Sequence, residues 1–391
     1  MGTSMVDLRA LAEGVDEAAP HIELTAGDGD AGSIGHAGFL CWMFGSLALI
    51  LLLIGSVNWY VDATGITGRT TKWLIAENAE VRAVKLDLYD GLPQPPETVL
   101  FGSSRVMKFD PADAEQLTGD RTFNAAVSGG VPRDALLFTM LLAERQSTNF
   151  PHVVWGLDVD AFRNKQLRDG LATDPRMSTY IPRSERVATW VSSRTQLVDW
   201  QTTKATWRSV RAGGGKRTET GTGTDDARAE RDAQFSSEGM QQWSLAFPKG
   251  RFLDRQVRKQ IAQYAGFIFE RDAYDGIEDA PLGEFEELVR IANEHGDTPD
   301  IFLTPYHPLA EELLAKHDIG AREREVRAKL RELQNDSELR FQVVDLTDIV
   351  TFGGDRSEFY DGVHMTPVNT RRALEELQRE GGLTADGRSG S

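Results

Sequence analysis

Residues Gly38 to Val57 form a run of 20 residues without a single charge, GFLCWMFGSLALILLLIGSV. As a helix, such a run is about 30 Å long, the thickness of a bilayer's hydrocarbon core. Trp42 lies near one end, and Trp59 and Tyr60 follow the other, where amphipathic rings favour the membrane–water interface. A transmembrane helix over residues 37–60 is therefore expected. The core helix of a soluble domain rarely runs so long without a polar stripe. A cleaved signal peptide would carry a basic leading segment, whereas Glu13, Asp16, Glu17, Glu23, Asp28 and Asp30 precede this run. Cys41 opens the run behind Gly38-Phe39-Leu40, a poor lipobox, so lipoprotein processing is not expected.

The run divides the chain. Residues 1–35 are acidic and rich in Gly and Ala, which predicts a disordered tail. Within it, Gly27-Asp28-Gly29-Asp30-Ala31-Gly32 spells a dinucleotide-binding pattern, but its aspartates would repel a pyrophosphate and no strand–helix–strand unit surrounds it. Residues 61–96 are expected to be a linker, with Gly91-Leu92-Pro93-Gln94-Pro95-Pro96 breaking structure at its end. A single domain over 97–385 follows. With 60 acidic residues against 43 basic ones, the net charge of −17 argues against a nucleic-acid partner, because no general basic footprint exists to neutralise phosphates. One cysteine excludes an internal disulfide framework and any multi-cysteine metal site.

Short apolar segments alternate with helical ones through the domain. Strands are predicted at Thr98–Phe101, Thr122–Asn124, Val153–Leu157, Ile301–Leu303 and Phe341–Val344. Helices are predicted near Arg133–Gln146, Glu284–Glu294, Leu309–Leu333 and Pro367–Arg379. This rhythm indicates an α/β fold, a parallel sheet of about five strands covered on both faces. Between the third and fourth strands lies a helical insertion, about 163–280. Its middle, Arg211–Thr224, alternates Thr and Gly and reads as a flexible loop. Trp190, Trp200, Trp207 and Trp243 flank it. They are expected to pack as the core of a small helical subdomain; the sharper alternative is a lid or acceptor-docking surface.

Ligands of open α/β sheets sit at the carboxyl ends of the strands. Those positions hold Ser103-Ser104 after strand one, Asn124 and then Gly129 after strand two, and Gly156 and Asp158 after strand three. Thr304-Pro305-Tyr306-His307 follows strand four and Asp361-Gly362-Val363-His364 follows strand five. A serine with an Asp-x-x-His pair suits nucleophilic acyl transfer. His364 would accept the Ser104 proton as general base, and Asp361 would orient the imidazole. Backbone N–H groups of Ser104 and Gly129 could face a developing oxyanion. No cluster has metal-ligand spacing, and this chemistry needs neither metal nor cofactor.

These blocks resemble the SGNH, or GDSL-like, hydrolase superfamily over residues 97–160 and 299–380. Gly102-Ser103-Ser104, Asn124 to Gly129, Gly156-Leu157-Asp158 and Asp361 to His364 stand where the family has its four blocks. The resemblance implies a three-layer αβα sandwich of flavodoxin-like type. It also implies Ser104 as nucleophile and Asp158 or Asn124 as further oxyanion contacts; by their place at the strand ends, Ser103 and Arg105 are substrate-contact candidates and His307 a substrate or alternative base contact. Two positions depart from the family pattern: Ser103 replaces an Asp and Asp158 replaces an Asn. An ionised Asp158 would repel an oxyanion unless it turns away, is protonated, or yields to a donor such as Arg105 or Asn124.

An N-terminal anchor followed by Gly-Ser-Ser-Arg looks like membrane-tethered SGNH proteins that move or remove acyl groups on envelope polymers. The expected function is thus a serine esterase or O-acyltransferase acting on acyl groups, acetyl first among them, of an envelope polysaccharide or related carbohydrate. The alternative is an inactive scaffold in a membrane polysaccharide assembly complex. Expected partners are the acylated carbohydrate, the lipid bilayer through residues 37–60, and other membrane proteins of a polysaccharide export or modification system. Arg69 and Lys72 after the anchor would favour a cytoplasmic domain by the positive-inside rule. The family resemblance implies an extracytoplasmic one and outweighs that two-charge signal.

Overall fold

Five strands pair into one all-parallel sheet, in the order β2-β1-β3-β4-β5. A computed structural model describes residues 36–63, 81–163, 174–211, 234–242, 248–271, 274–335 and 338–383. The acidic tail, Arg69 and Lys72, Trp243 and nearly all of the glycine-rich middle of the insertion lie outside the described residues, as does the side chain of Trp190. The chain divides into two compact units, 1–50 and 51–391.

Helix α1, His36–Val61, crosses that division. Its segment Gly38–Val61 is long and apolar enough to cross a membrane. In the second unit, helix α2, Val81–Asp90, precedes β1, Thr98–Gly102. Residues 61–96 are therefore not simply a linker. Arg82, Val84, Lys85, Leu86 and Tyr89 of α2 are buried, because the helix is stitched into the domain by its polar groups. Arg82 holds Asp134 with two bonds of 2.6 Å. Lys85 donates to the carbonyls of Asn124, at 2.6 Å, and Gly239. Its burial lowers its pKa well below the usual lysine value.

The sheet continues through α3, Pro111–Thr118, to β2, Thr122–Asn124, and through α4, Pro132–Arg145, to β3, His152–Leu157. Asp110 caps α3 by accepting the Ala112 N–H at 2.9 Å, and Gly119 ends it at φ 82°. The insertion supplies α5, Arg183–Gln196, α6, Trp200–Arg211, and α7, Arg251–Ala265. Helix α8, Asp279–Glu294, leads into β4, Asp300–Leu303. Next come α9, Pro308–Leu314, α10, Ile319–Gln334, β5, Gln342–Asp345, and α11, Pro367–Arg379. The long helix expected over 309–333 is thus two helices, broken where Asp318 takes a left-handed φ of 55°. Strands β1 to β4 are almost wholly buried, which explains why they read as continuous apolar runs. Helix α4 packs against α8, and α3 packs against α11.

At the start of β3, His152 is 1% exposed between two carboxylates. Its Nδ1 lies 2.8 Å from Asp297 Oδ1 and its Nε2 lies 2.8 Å from Asp300 Oδ2. Burial alone would lower its pKa, but the two aspartates outweigh that and raise it to about 9. An unfolded histidine titrates near 6.5, so this imidazolium stabilises the fold fully below that pH and loses its contribution as pH rises through 9. The shift corresponds to about 3 kcal/mol. Urea unfolding midpoints should fall across that window, and His152→Gln should flatten the dependence.

Candidate active site

Serine, histidine and aspartate meet at the carboxyl end of the sheet. Two glycines make room for them. Gly102 ends β1 and pairs in register with Gly156 on β3. A Cβ at either position would come within 2.4 Å of Val106 Cγ2, and one at Gly156 would also meet the Phe302 ring at 2.6 Å. The chain can therefore turn sharply after β1, with Val106 folded back over both strands. Replacing Gly156 with alanine should overpack this corner by about 1–3 kcal/mol. The same change should move Ser104 and lower its reactivity towards a serine-directed probe by more than it lowers the unfolding midpoint.

Ser104 Oγ lies 2.8 Å from His364 Nε2. His364 Nδ1 lies 2.8 Å from Asp361 Oδ2. Asp361 Oδ1 accepts the N–H groups of Val363 and His364, both at 2.9 Å. Burial would raise the Asp361 pKa, but the His364 interactions and the two backbone donors hold it below the usual carboxylate range. An ionised Asp361 fixes the proton on His364 Nδ1 and leaves Nε2 as acceptor for the Ser104 hydroxyl. Asp361 to His364 form a loop rather than a helical turn. The Tyr360 N–H closes it on the His364 carbonyl at 2.8 Å, and Phe359 and Met365 bridge at its base. Gly362 is needed because a Cβ there would meet Ile261 of α7 at 2.7 Å.

Ser103 is buried and does not face the histidine. Its Oγ accepts the Arg105 N–H at 3.2 Å, and its carbonyl accepts Val106 and Met107. Arg105, expected to contact substrate, is 3% exposed and points into the domain. It donates to Thr304 Oγ1 at 3.1 Å and Tyr264 OH at 2.7 Å. Its guanidinium stacks 4.1 Å from the Tyr306 ring centroid. Two carboxylates compensate it, Asp158 at 3.5 Å and Asp160 at 3.8 Å. Asp160 also binds Arg163 and accepts the Tyr264 hydroxyl at 2.5 Å. Against the effect of burial, Arg163 and Arg105 keep Asp160 below the usual carboxylate range. Burial raises Tyr264 and holds Tyr306 at about 12, so both phenols stay protonated.

This network accounts for Asp158. Its Oδ1 accepts the Thr304 hydroxyl at 2.7 Å and faces Arg105. Asn124 cannot supply an oxyanion donor from its amide. It donates to the carbonyls of Val106 and Phe109 at 2.8 and 2.9 Å, and its oxygen accepts Ala126 and Lys85. Gly129 takes a φ of 56° in a loop held to β1 by the Val127 N–H on the Gly102 carbonyl, 3.1 Å. Next to it, a Cβ on Gly130 would come within 2.4 Å of that carbonyl. His307, also expected at the substrate, is fully buried. It caps α9, accepting the Leu309 N–H on Nδ1 at 3.0 Å, and its own N–H bonds the Gly362 carbonyl at 3.1 Å. It thus braces the histidine loop from behind. Arg133, in the first turn of α4, pairs with Glu185 and Glu284.

Sequence reasoning did not single out Tyr264 and Asp160. Tyr264 lies on α7, inside the insertion, and no motif marks it. Asp160 follows Asp158 by two residues, a spacing that carried no signal until Arg105 turned inward. Among the described residues no group of three or more His, Cys, Asp or Glu side chains is placed to hold a metal ion. No protein-family model matches the chain, and no curated protein matches it.

Proposed function

We propose that this chain is a membrane-anchored serine esterase or O-acyltransferase acting on acyl groups, acetyl in the first instance, of an envelope polysaccharide or related carbohydrate. The observation that carries this conclusion is the hydrogen-bonded series Ser104–His364–Asp361 at the carboxyl ends of parallel strands. Ser104 Oγ would attack the ester carbonyl carbon while its proton passes to His364 Nε2. The tetrahedral oxyanion would be met by the backbone N–H groups of Ser104 and Gly129. Collapse would expel the sugar oxygen, which takes the proton from His364, and leave an acyl group on Ser104. Water or an acceptor hydroxyl would then attack, again giving its proton to His364, and as the ester to Ser104 breaks, Ser104 Oγ would take that proton back, restoring the neutral histidine and the serine hydroxyl.

We take the fold as SGNH-like and three-layered. The strand order, the packing of α4 on α8 and of α3 on α11, and the Gly102–Gly156 pair support that assignment. We take Gly38–Val61 as the anchor and the large domain as extracytoplasmic. A C-terminal reporter active only outside the cytoplasm tests the orientation.

The departure at Asp158 favours a second reading, an inactive scaffold that uses the same cleft. Its ion pair with Arg105 weakens that reading, because the carboxylate is compensated instead of being left to oppose an oxyanion. A fluorophosphonate probe decides between the two. Labelling of the detergent-solubilised full chain and turnover of simple acetyl esters are expected. Absence of both would leave the scaffold.

A further inference from the structure

Helix α6 is amphipathic in the wrong sense for a helix on a soluble domain. Its small hydroxyl side chains face inward: Thr202, Thr206 and Ser209 are 6%, 5% and 4% exposed. Its large apolar ones face outward: Trp200, Trp207 and Val210 are 68%, 66% and 43% exposed. The preceding helix, α5, likewise exposes Val187 and Val191 at 57% and 50%. Trp200 and Trp207 therefore do not form the core of an insertion subdomain. Exposing two indoles and three valines to water while burying hydroxyls is costly, so this outer face should meet an apolar phase.

Two observations identify that phase. The first is continuity with the apolar helix. Asn58, directly after the apolar run, is buried and donates to the Leu197 carbonyl at 2.6 Å and to Thr203 Oγ1 at 3.0 Å. Leu197 and Thr203 lie at the turn between α5 and α6 and at the start of α6. Val198 of that turn lies 3.4 Å from where a Cβ on Gly55 would stand. The hairpin is thus fastened to the α1 segment where the uncharged sequence ends. The second observation is charge. Residues 183–211 carry Arg183, Arg186, Arg194, Lys204, Arg208 and Arg211 against Glu185 and Asp199, in a chain that is otherwise strongly acidic. Exposed tryptophans beside lysine and arginine on an amphipathic helix match a bilayer interface with anionic headgroups. Lys204 lies 5.6 Å from the Trp200 ring centroid, so charge and indole share one side.

We propose that the α5–α6 hairpin lies on the bilayer surface, with Trp200, Trp207 and Val210 entering the headgroup boundary and the basic side chains binding anionic lipid. The hairpin would form a second membrane contact beside the anchor and fix the domain against the surface. This inference rests on α1 being a membrane anchor.

The test uses the full chain, with Cys41→Ala, in phosphatidylcholine vesicles with and without phosphatidylglycerol. A fluorophore is attached through Val210→Cys or, separately, through Leu49→Cys, and lipid-borne nitroxides serve as quenchers. Quenching at both positions is expected, by shallow nitroxides at 210 and deep ones at 49. At 210 it should rise with phosphatidylglycerol. Each of Lys204→Glu and Arg208→Glu should lower the docked-to-undocked ratio at 210 about fivefold or more. Lipid quenching at 49 without quenching at 210 overturns the hairpin proposal and leaves the anchor standing. Protection of 210 from aqueous iodide without lipid quenching also overturns it, in favour of a protein partner. Quenching at 210 that ignores both phosphatidylglycerol and the charge reversals overturns the anionic-lipid part. Loss of lipid quenching at 49 overturns the anchor itself.

Discussion

Ser104→Ala is expected to abolish fluorophosphonate labelling and to lower acetyl-ester turnover by on the order of 10⁴ or more. In the proposed mechanism Ser104 Oγ is the attacking oxygen, and this substitution removes it. Ser103 is the obvious substitute in sequence, but its Oγ is buried and accepts the Arg105 N–H at 3.2 Å. Ser103→Ala should therefore keep its labelling and lose only about 0.5–1.5 kcal/mol of stability. His364→Ala should greatly reduce labelling, because the base 2.8 Å from Ser104 is gone. The assignment fails if Ser104→Ala still labels while Ser103→Ala does not. These measurements need no knowledge of the natural acyl donor, since the probe reports the activated serine alone.

The second large effect is structural. Replacing Arg105 with methionine keeps much of its volume against Tyr306 but strips the counter-charge from Asp158 and weakens that on Asp160. Both carboxylates are buried. Breaking a buried ion pair from one side typically costs about 3–5 kcal/mol, because the remaining charge stays desolvated. Arg163 still holds Asp160, so most of the loss should be carried by Asp158. Asp158→Asn in the Arg105→Met background should then recover a good part of the stability. A double-mutant cycle by denaturant unfolding measures this coupling. If the two substitutions prove additive, Arg105 is not what holds Asp158. The outcome also bears on the proposed function, since an Asp158 held by Arg105 is not free to oppose an oxyanion.

The strands and the triad were legible for different reasons. Strands β1 to β4 are buried on both faces, so a contiguous apolar stretch such as Val99-Leu100-Phe101 marks them without any tertiary information. Ser104, Asp361 and His364 stood out because strand ends are where α/β folds bind ligands, and each follows a recognisable strand or turn. The direction of the flanking side chains was not legible. Arg105 is next to Ser104 in sequence, yet it turns inward because Asp158, Asp160, Tyr264 and Tyr306 converge beneath it from distant elements. His307 read as a substrate contact and proves to be a helix cap for the same reason. Helix α2 reads as linker in the sequence because Arg82 and Lys85 look like surface residues until their partners, Asp134 and the Asn124 carbonyl, are known.

Composition and pattern alone therefore fix three things here: an uncharged helix long enough to cross a bilayer, an α/β domain after it, and the order of its strand-end residues. All three depend on local sequence, on periodicity and on the absence of charge. Tertiary structure decides which serine faces His364, where the Asp158 charge is compensated, and which way the tryptophans of α6 point. Each of these depends on contacts between residues far apart in the chain. Ser104 and His364 are 260 residues apart and Arg105 and Thr304 are 199 apart, separations over which strand order can bring two loops to one end of a sheet but cannot say which side chains touch there.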